Sequence, residues 1–461
     1  MSTNLLKGNT NKILISMSLP ISVGMLSTFL FQVIDTYFVG QLGANSLAAL
    51  SFASTLYFLI LGLFMGLSVG VSIPIAQAKG EGNHLKLSKI VKVSLMLSLL
   101  LSISISVISI QFLFPIFSLL GAEPEIIPLI QEYLRPLLLG IPLLTLGLLI
   151  GSILRANGNV SKPELLMAFS GVINLVLDYL LIFGAFGFPE LGIKGAAYAS
   201  VFSWLVIIIG MLYFLYKEEI LLNTRSLSLN TKEILKEIQK ISTPTIITQM
   251  IGPLTLTYLT FILAKQSALA VAAFGVSGRI ETLLLIGVLG VSTAMTPFIS
   301  QNKGAQFASR VEEAIKFGGK ASVYLGLFVA LILFIFIKPI AALFSENTEV
   351  IDYTSNYFYI VGLSYVFYGL YIITSSIFNG LSLIFQSLKL SLVKSFAFTI
   401  PLTLLGSFWG INGIYIGLAA SNVLAGLFSA YEMRKDFRRV NSDLKDVVVW
   451  KEYRKDLSGL F

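Results

Sequence analysis

Cysteine is absent from this 461-residue chain, and histidine occurs once, at His84. Without thiolates or a second imidazole, the sequence excludes disulfide frameworks, Cys/His zinc sites, haem ligation and a Ser/His triad with a well-placed base. The nucleotide-binding pattern G-x-x-x-x-G-K-[ST] is missing too, because the nearest stretch, residues 318–321, has the wrong spacing. We therefore expect neither an enzyme nor an ATP-driven pump, and no metal or organic cofactor.

Charged residues make up only 12% of the chain, whereas hydrophobic residues make up 56%. A soluble globular chain carries roughly twice that share of charge. Most apolar residues fall in runs of about 20 or more, the length needed to cross a bilayer. The expected fold class is an all-α polytopic membrane protein with twelve transmembrane helices. The predicted helices span residues 13–38, 46–76, 87–119, 126–155, 162–187, 192–217, 235–264, 269–300, 311–343, 349–380, 385–409 and 412–434.

The net charge of +8 could indicate nucleic-acid binding, so the positions of the charges decide its meaning. Basic residues such as Lys86 and Lys89 concentrate in one set of loops, whereas acids such as Glu123 lie in the other. That bias predicts a multi-pass protein of the cytoplasmic (inner) membrane with both termini in the cytoplasm. Lys389 and Lys394 are assigned to the cytoplasmic loops in this interpretation, and no nucleic-acid partner is expected.

An internal repeat divides the chain. Pro20 matches Pro244, and "QAKG" from Gln77 matches "QNKG" from Gln301, at one common offset. Because each copy holds six helices, both copies should enter the bilayer from the same side. We therefore expect two six-helix bundles, a parallel repeat related by a pseudo-two-fold axis along the membrane normal, as is typical of secondary transporters.

The repeat also predicts the domain boundaries. Residues 1–217 form the N-lobe with helices 1–6, and residues 218–240 form a polar cytoplasmic linker. Residues 241–434 form the C-lobe with helices 7–12, although helix 7 begins near 235, and residues 435–461 form a cytoplasmic tail. We expect substrate to bind in the cleft between the two lobes.

Two aspartates, Asp35 and Asp178, lie inside apolar helices of the N-lobe. A carboxylate near the middle of a membrane helix costs roughly 2.5 to 3.5 kcal/mol, so such groups usually face a cavity or a partner. Asn174 lies one helical turn before Asp178 and shares its helix face. We interpret Asp35, Asp178 and Asn174 as a site for the coupling ion; the alternative is that each aspartate only caps or bonds a neighbouring helix. The C-lobe has no counterpart, since Asp35 matches Leu259.

Further side chains on these helices are candidates for a substrate cavity: Thr28, Gln32, Met25, Ser200 and Ser203. Pro20 lacks the amide that would bond to residue 16, and Gly24 follows one turn later, so this part of helix 1 is a candidate hinge. A passive bend is the alternative. Arg279 and Glu281, two positions apart, cannot pair face to face, and we expect them to contact the other lobe or the lipid edge rather than to act in transport.

Six segments in chain order resemble those of the multidrug and toxic compound extrusion (MATE) transporters. They are "SLPISVGMLSTFLFQVIDTYFVGQLG", "QAKGEGN", "LRANGNVSKP", "INLVLDYLLIFG", "LGIKGAAYAS" and "QNKGAQ". Each motif alone is weak, but the set in this order is specific and covers essentially the whole chain. The resemblance implies two bundles around a central cavity, and export of organic cations and amphipathic drugs in exchange for protons or sodium. It also implies that helix 1 bends at Pro20 when Asp35 is protonated.

The resemblance bears on the coupling ion as well. Members of the sodium-linked NorM branch carry acidic residues in helices 7 and 10, whereas residues 243–264 and 361–378 here contain none. Asp35, Asn174 and Asp178 instead resemble the proton-linked DinF branch. We therefore expect a proton-coupled multidrug efflux antiporter that contributes to antibiotic resistance and functions as a monomer, with sodium coupling as the alternative.

A flippase for lipid-linked saccharides, from the same superfamily, is another alternative. Its cavity needs several Arg or Lys side chains to hold a pyrophosphate, and the predicted membrane core is nearly free of them.

Overall fold

The computed structural model describes residues 4–221 and 231–443, and every regular element in these ranges is helical. The α-helices are α1 (Thr10–Gln41), α2 (Ala44–Gly80), α3 (His84–Gln111), α4 (Leu113–Leu119), α5 (Ile127–Ala156), α6 (Ser161–Phe183), α7 (Ile193–Lys217), α8 (Thr231–Ala264), α9 (Ala268–Gly304), α10 (Ala308–Ala342), α11 (Thr348–Val361), α12 (Tyr365–Gly380), α13 (Ile384–Leu392), α14 (Ile400–Gly406) and α15 (Gly410–Asp443).

Side chains that accept amide hydrogen bonds begin several of these helices. Asn83 accepts from the amide of Lys86 at 2.9 Å before α3. Asn347 accepts from the amide of Glu349 at 2.9 Å before α11, and Ser267 caps α9 in the same way. Such caps satisfy amides that have no partner within the helix, so the polar interruptions between apolar runs set where these helices start.

Eleven helical stretches within the described residues are long and apolar enough to cross a membrane. The last one, Ile384–Asp436, is 53 residues long, and at 1.5 Å per residue it is long enough for two crossings. Gly410, the first residue of α15, interrupts it with a φ of 75°, which few other residues adopt. The predicted all-α polytopic fold with twelve membrane crossings is confirmed.

The helices differ from the predicted ones at several points. The predicted helix 87–119 is interrupted at Phe112, between α3 and α4. A 3₁₀ turn, Gly362–Ser364, separates α11 from α12 inside the predicted helix 349–380. The predicted helix 385–409 contains a π-helical stretch, Val393–Thr399, between α13 and α14. Periodicity of apolar residues cannot reveal such changes of helix type, because all three helix types keep the segment apolar.

The chain forms two compact units. The first unit contains Val23–Ile75 and Asn83–Ile246, and the second contains Thr3–Ser22, Ala76–Gly82 and the chain from Ile247 onwards. Each of α1, α2 and α8 therefore contributes to both units. The predicted lobe boundaries remain a prediction, and residues 222–230 of the predicted linker and 444–461 of the predicted tail lie outside the described residues.

The two copies of the repeat make matching packing contacts. In the second unit Gly80 lies against the carbonyl of Gln301, and Gly304 lies against the carbonyl of Gln77. A Cβ at either glycine would overlap the opposite carbonyl. The motifs "QAKG" and "QNKG" thus share a glycine because each copy needs the same close backbone approach.

A second matched pair of contacts joins helices of different copies. In the first unit Gly66 of α2 packs on Ile246 of α8, and Thr245 donates a hydrogen bond to the Gly66 carbonyl at 2.8 Å. In the second unit Gly290 of α9 packs on Ser22 of α1. Gly66 and Gly290 stand at the common offset of the repeat, so the duplication seen in the sequence is also a duplication of contacts.

Candidate functional site

In the first unit, α1 and α6 lie side by side. Gly171 of α6 faces the ring of Phe31 on α1 so closely that an added Cβ would overlap the ring. Further along both helices, the rings of Phe38 and Tyr179 have centroids 6.2 Å apart. Because the two contacts follow in the same order on both helices, α1 and α6 run in the same direction. The α1 residues between Phe31 and Phe38 therefore lie at the same height as the α6 residues between Gly171 and Tyr179.

Asp35 and Asp178 lie at this level and are close enough to interact electrostatically. Asp178 is only 1% exposed. In each carboxylate the Oδ1 atom is buried and has no hydrogen-bond partner among the described residues, and the same holds for the Nδ2 atom of Asn174. The structure thus places the two predicted acids together, with Asn174 one turn away from Asp178 on the same face of α6. Buried polar atoms without partners are rare in folded proteins, so this cluster is a candidate site for a cation.

Two tyrosines complete the cluster. Tyr57 of α2 lies within electrostatic range of Asp35, and Tyr133 of α5 lies within range of both Asp35 and Asp178. The Tyr57 ring also stacks on Trp204 of α7, with centroids 6.3 Å apart and planes 7° from parallel. Sequence reasoning missed both tyrosines. Their hydroxyl groups within apolar runs were the available signal, because a buried tyrosine usually needs a polar partner.

The acidic cluster is held in place by α7. Ser170, Asn174 and Asp178 follow each other at four-residue spacing and form one polar face of α6. Ser170 donates a hydrogen bond to the carbonyl of Ser203 on α7 at 2.7 Å. Ser203 itself is buried, and its hydroxyl oxygen has no partner among the described residues. The bond between α6 and α7 fixes the rotation of α6 and hence the direction of Asp178.

The other predicted cavity residues differ in exposure. Thr28 is exposed and donates a hydrogen bond to the carbonyl of Gly24 at 3.0 Å. Gln32 is also exposed, whereas Met25 and Ser200 are half-buried. Their assignment to a substrate cavity remains a prediction, as does that of Ser203.

The predicted hinge lies in a continuous helix, since α1 runs through Pro20 without a break. Gly24 is buried against Glu164, and a Cβ there would overlap the Glu164 carboxylate. That carboxylate forms an ion pair with Arg155 at 2.8 Å. Close packing therefore explains the glycine in this structure, and the bending role of Pro20 and Gly24 remains a prediction.

The second unit contains a polar cluster that sequence reasoning missed. The Oε2 atom of Glu281 on α9 accepts hydrogen bonds from Tyr357 at 2.8 Å and from Tyr365 at 3.0 Å. The Nζ atom of Lys394 lies 4.8 Å from the ring centre of Tyr368 and 5.6 Å from that of Tyr371. Glu281 and Lys394 are within electrostatic range of each other.

The assignment of Lys394 to a cytoplasmic loop was wrong. Lys394 lies in the π-helical stretch Val393–Thr399, about 15 Å along the helical segment that begins at Ile384. A lysine inside an apolar segment is easily counted with the loop, because lysines near helix ends extend to the membrane surface. Here two tyrosine rings stabilise the ammonium within the segment. Glu281, expected at an edge, instead has two bonded tyrosines inside the unit.

The comparisons with known proteins agree with the repeat. The chain matches the MatE family model over residues 20–180 and 244–405, and these two matches begin at the paired prolines. A FAD transporter from Shewanella oneidensis is 32% identical over 446 residues, covering 96% of this chain and 99% of the relative. The multidrug export protein MepA from Staphylococcus saprophyticus is 26% identical, covering 83% of this chain and 82% of the relative. The crystal structure of the MATE transporter VcmN from Vibrio cholerae in the bent form superposes with a TM-score of 0.89 at 28% identity, covering 94% of this chain and 98% of that chain.

Proposed function

This chain belongs to the MatE family of multi-pass membrane transporters, and we propose that it exports amphipathic and cationic compounds in exchange for protons. The observation that supports proton coupling is the pairing of Asp35 with Asp178, each with a buried oxygen atom that has no partner among the described residues. We further propose that the chain works in the cytoplasmic membrane with both termini in the cytoplasm, as the distribution of basic residues indicates.

The acidic cluster can couple two fluxes because a proton and an organic cation would compete for it. Either one neutralises negative charge that is costly to bury, so the cluster favours having one of them bound. If protons bind from outside and leave inside, a bound drug is displaced on the outer side in each cycle. One proton that moves down about 100 mV and one pH unit releases roughly 4 kcal/mol, which sustains up to about a thousandfold gradient of a neutral solute.

Proton release from proteoliposomes on addition of ethidium tests this proposal. Wild type should release protons when dye is added, and Asp35→Asn should lose most of this dye-dependent release, because the amide cannot bind an exchangeable proton. Asp352→Asn is the matched control, since Asp352 is exposed on α11 of the other unit. A wild-type protein that moves dye without moving protons would rule out the coupling.

Sodium coupling is the alternative that the same vesicles distinguish. Two carboxylates and an amide oxygen are hard oxygen ligands that also suit a sodium ion. Dye transport that continues in sodium-free buffer with a pH gradient supports protons as the coupling ion. Transport that stops in that buffer and returns with sodium would assign the acidic cluster to sodium instead.

Flavin nucleotide export is a second candidate function. The observation that favours it is the 32% identity, over nearly the whole chain, to the Shewanella oneidensis protein named as a FAD transporter. Uptake of FAD into inside-out vesicles, measured beside ethidium uptake, tests it. Competition between the two compounds would indicate one transport pathway with two classes of substrate.

A further inference from the structure

We propose that the second unit contains a recognition site for anions that carry a planar ring, such as flavin nucleotides, formed by Lys394, Tyr368 and Tyr371. The inference rests on the proposed exporter function and names a substrate class for it. The site lies within one unit and is separate from the acidic cluster around Asp178.

The first support is the pair of tyrosine rings. Tyr368 and Tyr371 lie one turn apart on α12, and their rings are 6.1 Å apart and within 8° of parallel. Tyr371 shares a hydrogen bond with Ser391 of α13 at 2.9 Å, which limits rotation of its ring. Both tyrosines are half-buried, so part of each residue remains accessible. Fixed, parallel and accessible aromatic faces are surfaces on which a further planar ring stacks.

The second support is the lysine beside these rings. Lys394 contacts both rings and is half-buried, but it forms no salt bridge with the described residues. An ammonium group in a membrane segment is costly and does not face lipid. Intramembrane lysines usually face a bundle interior or a water-filled cavity, and a phosphate or carboxylate at the accessible part of Lys394 would form the missing ion pair.

Glu281 explains how the lysine is tolerated when no ligand is bound. Its carboxylate is close enough to attract Lys394 but is held by Tyr357 and Tyr365 through one oxygen atom. The acid thus balances the lysine charge from a distance without occupying the position of a ligand anion. A site built only for structural neutralisation would place the two charges in contact.

The local helix geometry supports the same assignment. Lys394 lies at the start of the π-helical stretch, and Thr399 donates a hydrogen bond to the Lys394 carbonyl at 2.9 Å. π-helical turns are rare and frequently mark functional sites, because the extra residue changes the direction of one side chain. Here the side chain at this position is the lysine that meets the tyrosine pair.

Binding of FAD to the purified protein, followed by flavin fluorescence anisotropy, tests the site, with ethidium as a cationic probe. Lys394→Met should lower the affinity for FAD relative to ethidium by at least about tenfold, because a charge-assisted contact to phosphate is lost. Lys394→Arg should retain most of the FAD affinity. Lys320→Met, at an exposed lysine of α10 in the same unit, is the control and should bind both probes as wild type does.

Replacing Tyr371 provides an independent test in case Lys394→Met does not fold. Tyr371→Phe keeps the ring but loses the bond to Ser391, so it should keep most of the FAD binding, whereas Tyr371→Leu removes the stacking surface and should weaken binding further. The inference is overturned if wild type does not bind FAD, if Lys394→Met binds FAD as tightly as wild type, or if Lys394→Arg loses as much as Lys394→Met. Dye-dependent proton release, measured in the same preparation, tests the exporter function separately. A loss of FAD binding and a loss of proton release can therefore be distinguished.

Discussion

The acidic cluster of the first unit and the lysine-containing cluster of the second unit lie in different copies of the repeat. Gly66 of α2 and Gly290 of α9 make matching contacts within their own units. The sequences of these two helices can therefore be aligned at the common offset of the repeat. At that register Tyr57, beside Asp35, corresponds to Glu281. A neutral phenol in one copy therefore stands where a carboxylate stands in the other.

Other members of the two clusters can be compared in the same way, and their charges differ. Tyr133 and Tyr357 stand at the same offset and both border their clusters. The helix that carries Asp178 in the first copy corresponds to the segment that carries Lys394 in the second, and Asp35 corresponds to the buried Leu259. The duplication thus retained polar groups at some matching positions, such as Tyr57 with Glu281, but not the same charges. An acidic site suits protons and cations, whereas a site with a lysine and aromatic rings suits planar anions.

The largest expected effect is that of Asp178→Asn. Asp178 is the more buried acid of the pair, and its amide analogue cannot take part in proton exchange, so dye-dependent proton flux should fall to background. If the two aspartates act as one site, as we propose, the double variant with Asp35→Asn should be no worse than Asp178→Asn alone. Proton flux and ethidium efflux in proteoliposomes measure both.

Additive losses would contradict this account of the pair. If each single variant kept half of the flux and the double variant lost the rest, Asp35 and Asp178 would act as separate sites. The melting temperature and the gel-filtration profile of the detergent-purified variants serve as the folding control.

The acidic cluster could be predicted from the sequence because an aspartate in an apolar run is costly enough to stand out. The helix period and the repeat were enough to place Asp35, Asp178 and Asn174 on related helix faces. The repeat itself was visible because close packing at Gly80 and Gly304 requires the same residue in both copies. The fold class and the proximity of these acids therefore followed from local rules, whereas their role remains a prediction.

The lysine-containing cluster could not be predicted in this way, because it depends on contacts between distant segments. Glu281 and Tyr357 lie in α9 and α11, and nothing in the sequence near either one indicates the hydrogen bond between them. Lys394 was counted with a loop because the π-helical stretch and its tyrosine neighbours have no sequence signal of their own. The break at Phe112 did have a sequence signal, because Pro115 lacks the amide that would bond to Gln111 at the end of α3.

An intermediate effect is expected for Gly171→Val, which tests whether the acidic cluster depends on the close contact of α1 and α6. The added side chain would overlap the ring of Phe31 and push the helices apart. Such overpacking typically costs about 1–3 kcal/mol, so both the melting temperature and dye-dependent proton flux should fall. Gly62→Val is the matched control, because Gly62 of α2 has no neighbouring atom within 4 Å of an added Cβ.

A Gly171→Val protein with normal proton flux and a lower melting temperature would show that Asp35 and Asp178 function without this spacing. The two clusters would then differ in function through their charges, and not through the spacing of the helices that carry them.

The smallest expected effect is that of Pro20→Ala, and it depends on whether the matching prolines of the two copies differ in function. Proline in a helix interior costs about 3 kcal/mol or more, so alanine at Pro20 or at Pro244 should raise the melting temperature. Only in α1 does the helix continue to an acidic residue, because Leu259 stands at the matching position of α8. We therefore expect Pro20→Ala to reduce drug resistance of expressing cells while Pro244→Ala does not. Equal resistance in both variants would mean that the prolines only bend their helices, and that proton binding at Asp35 reaches the substrate without a change in α1.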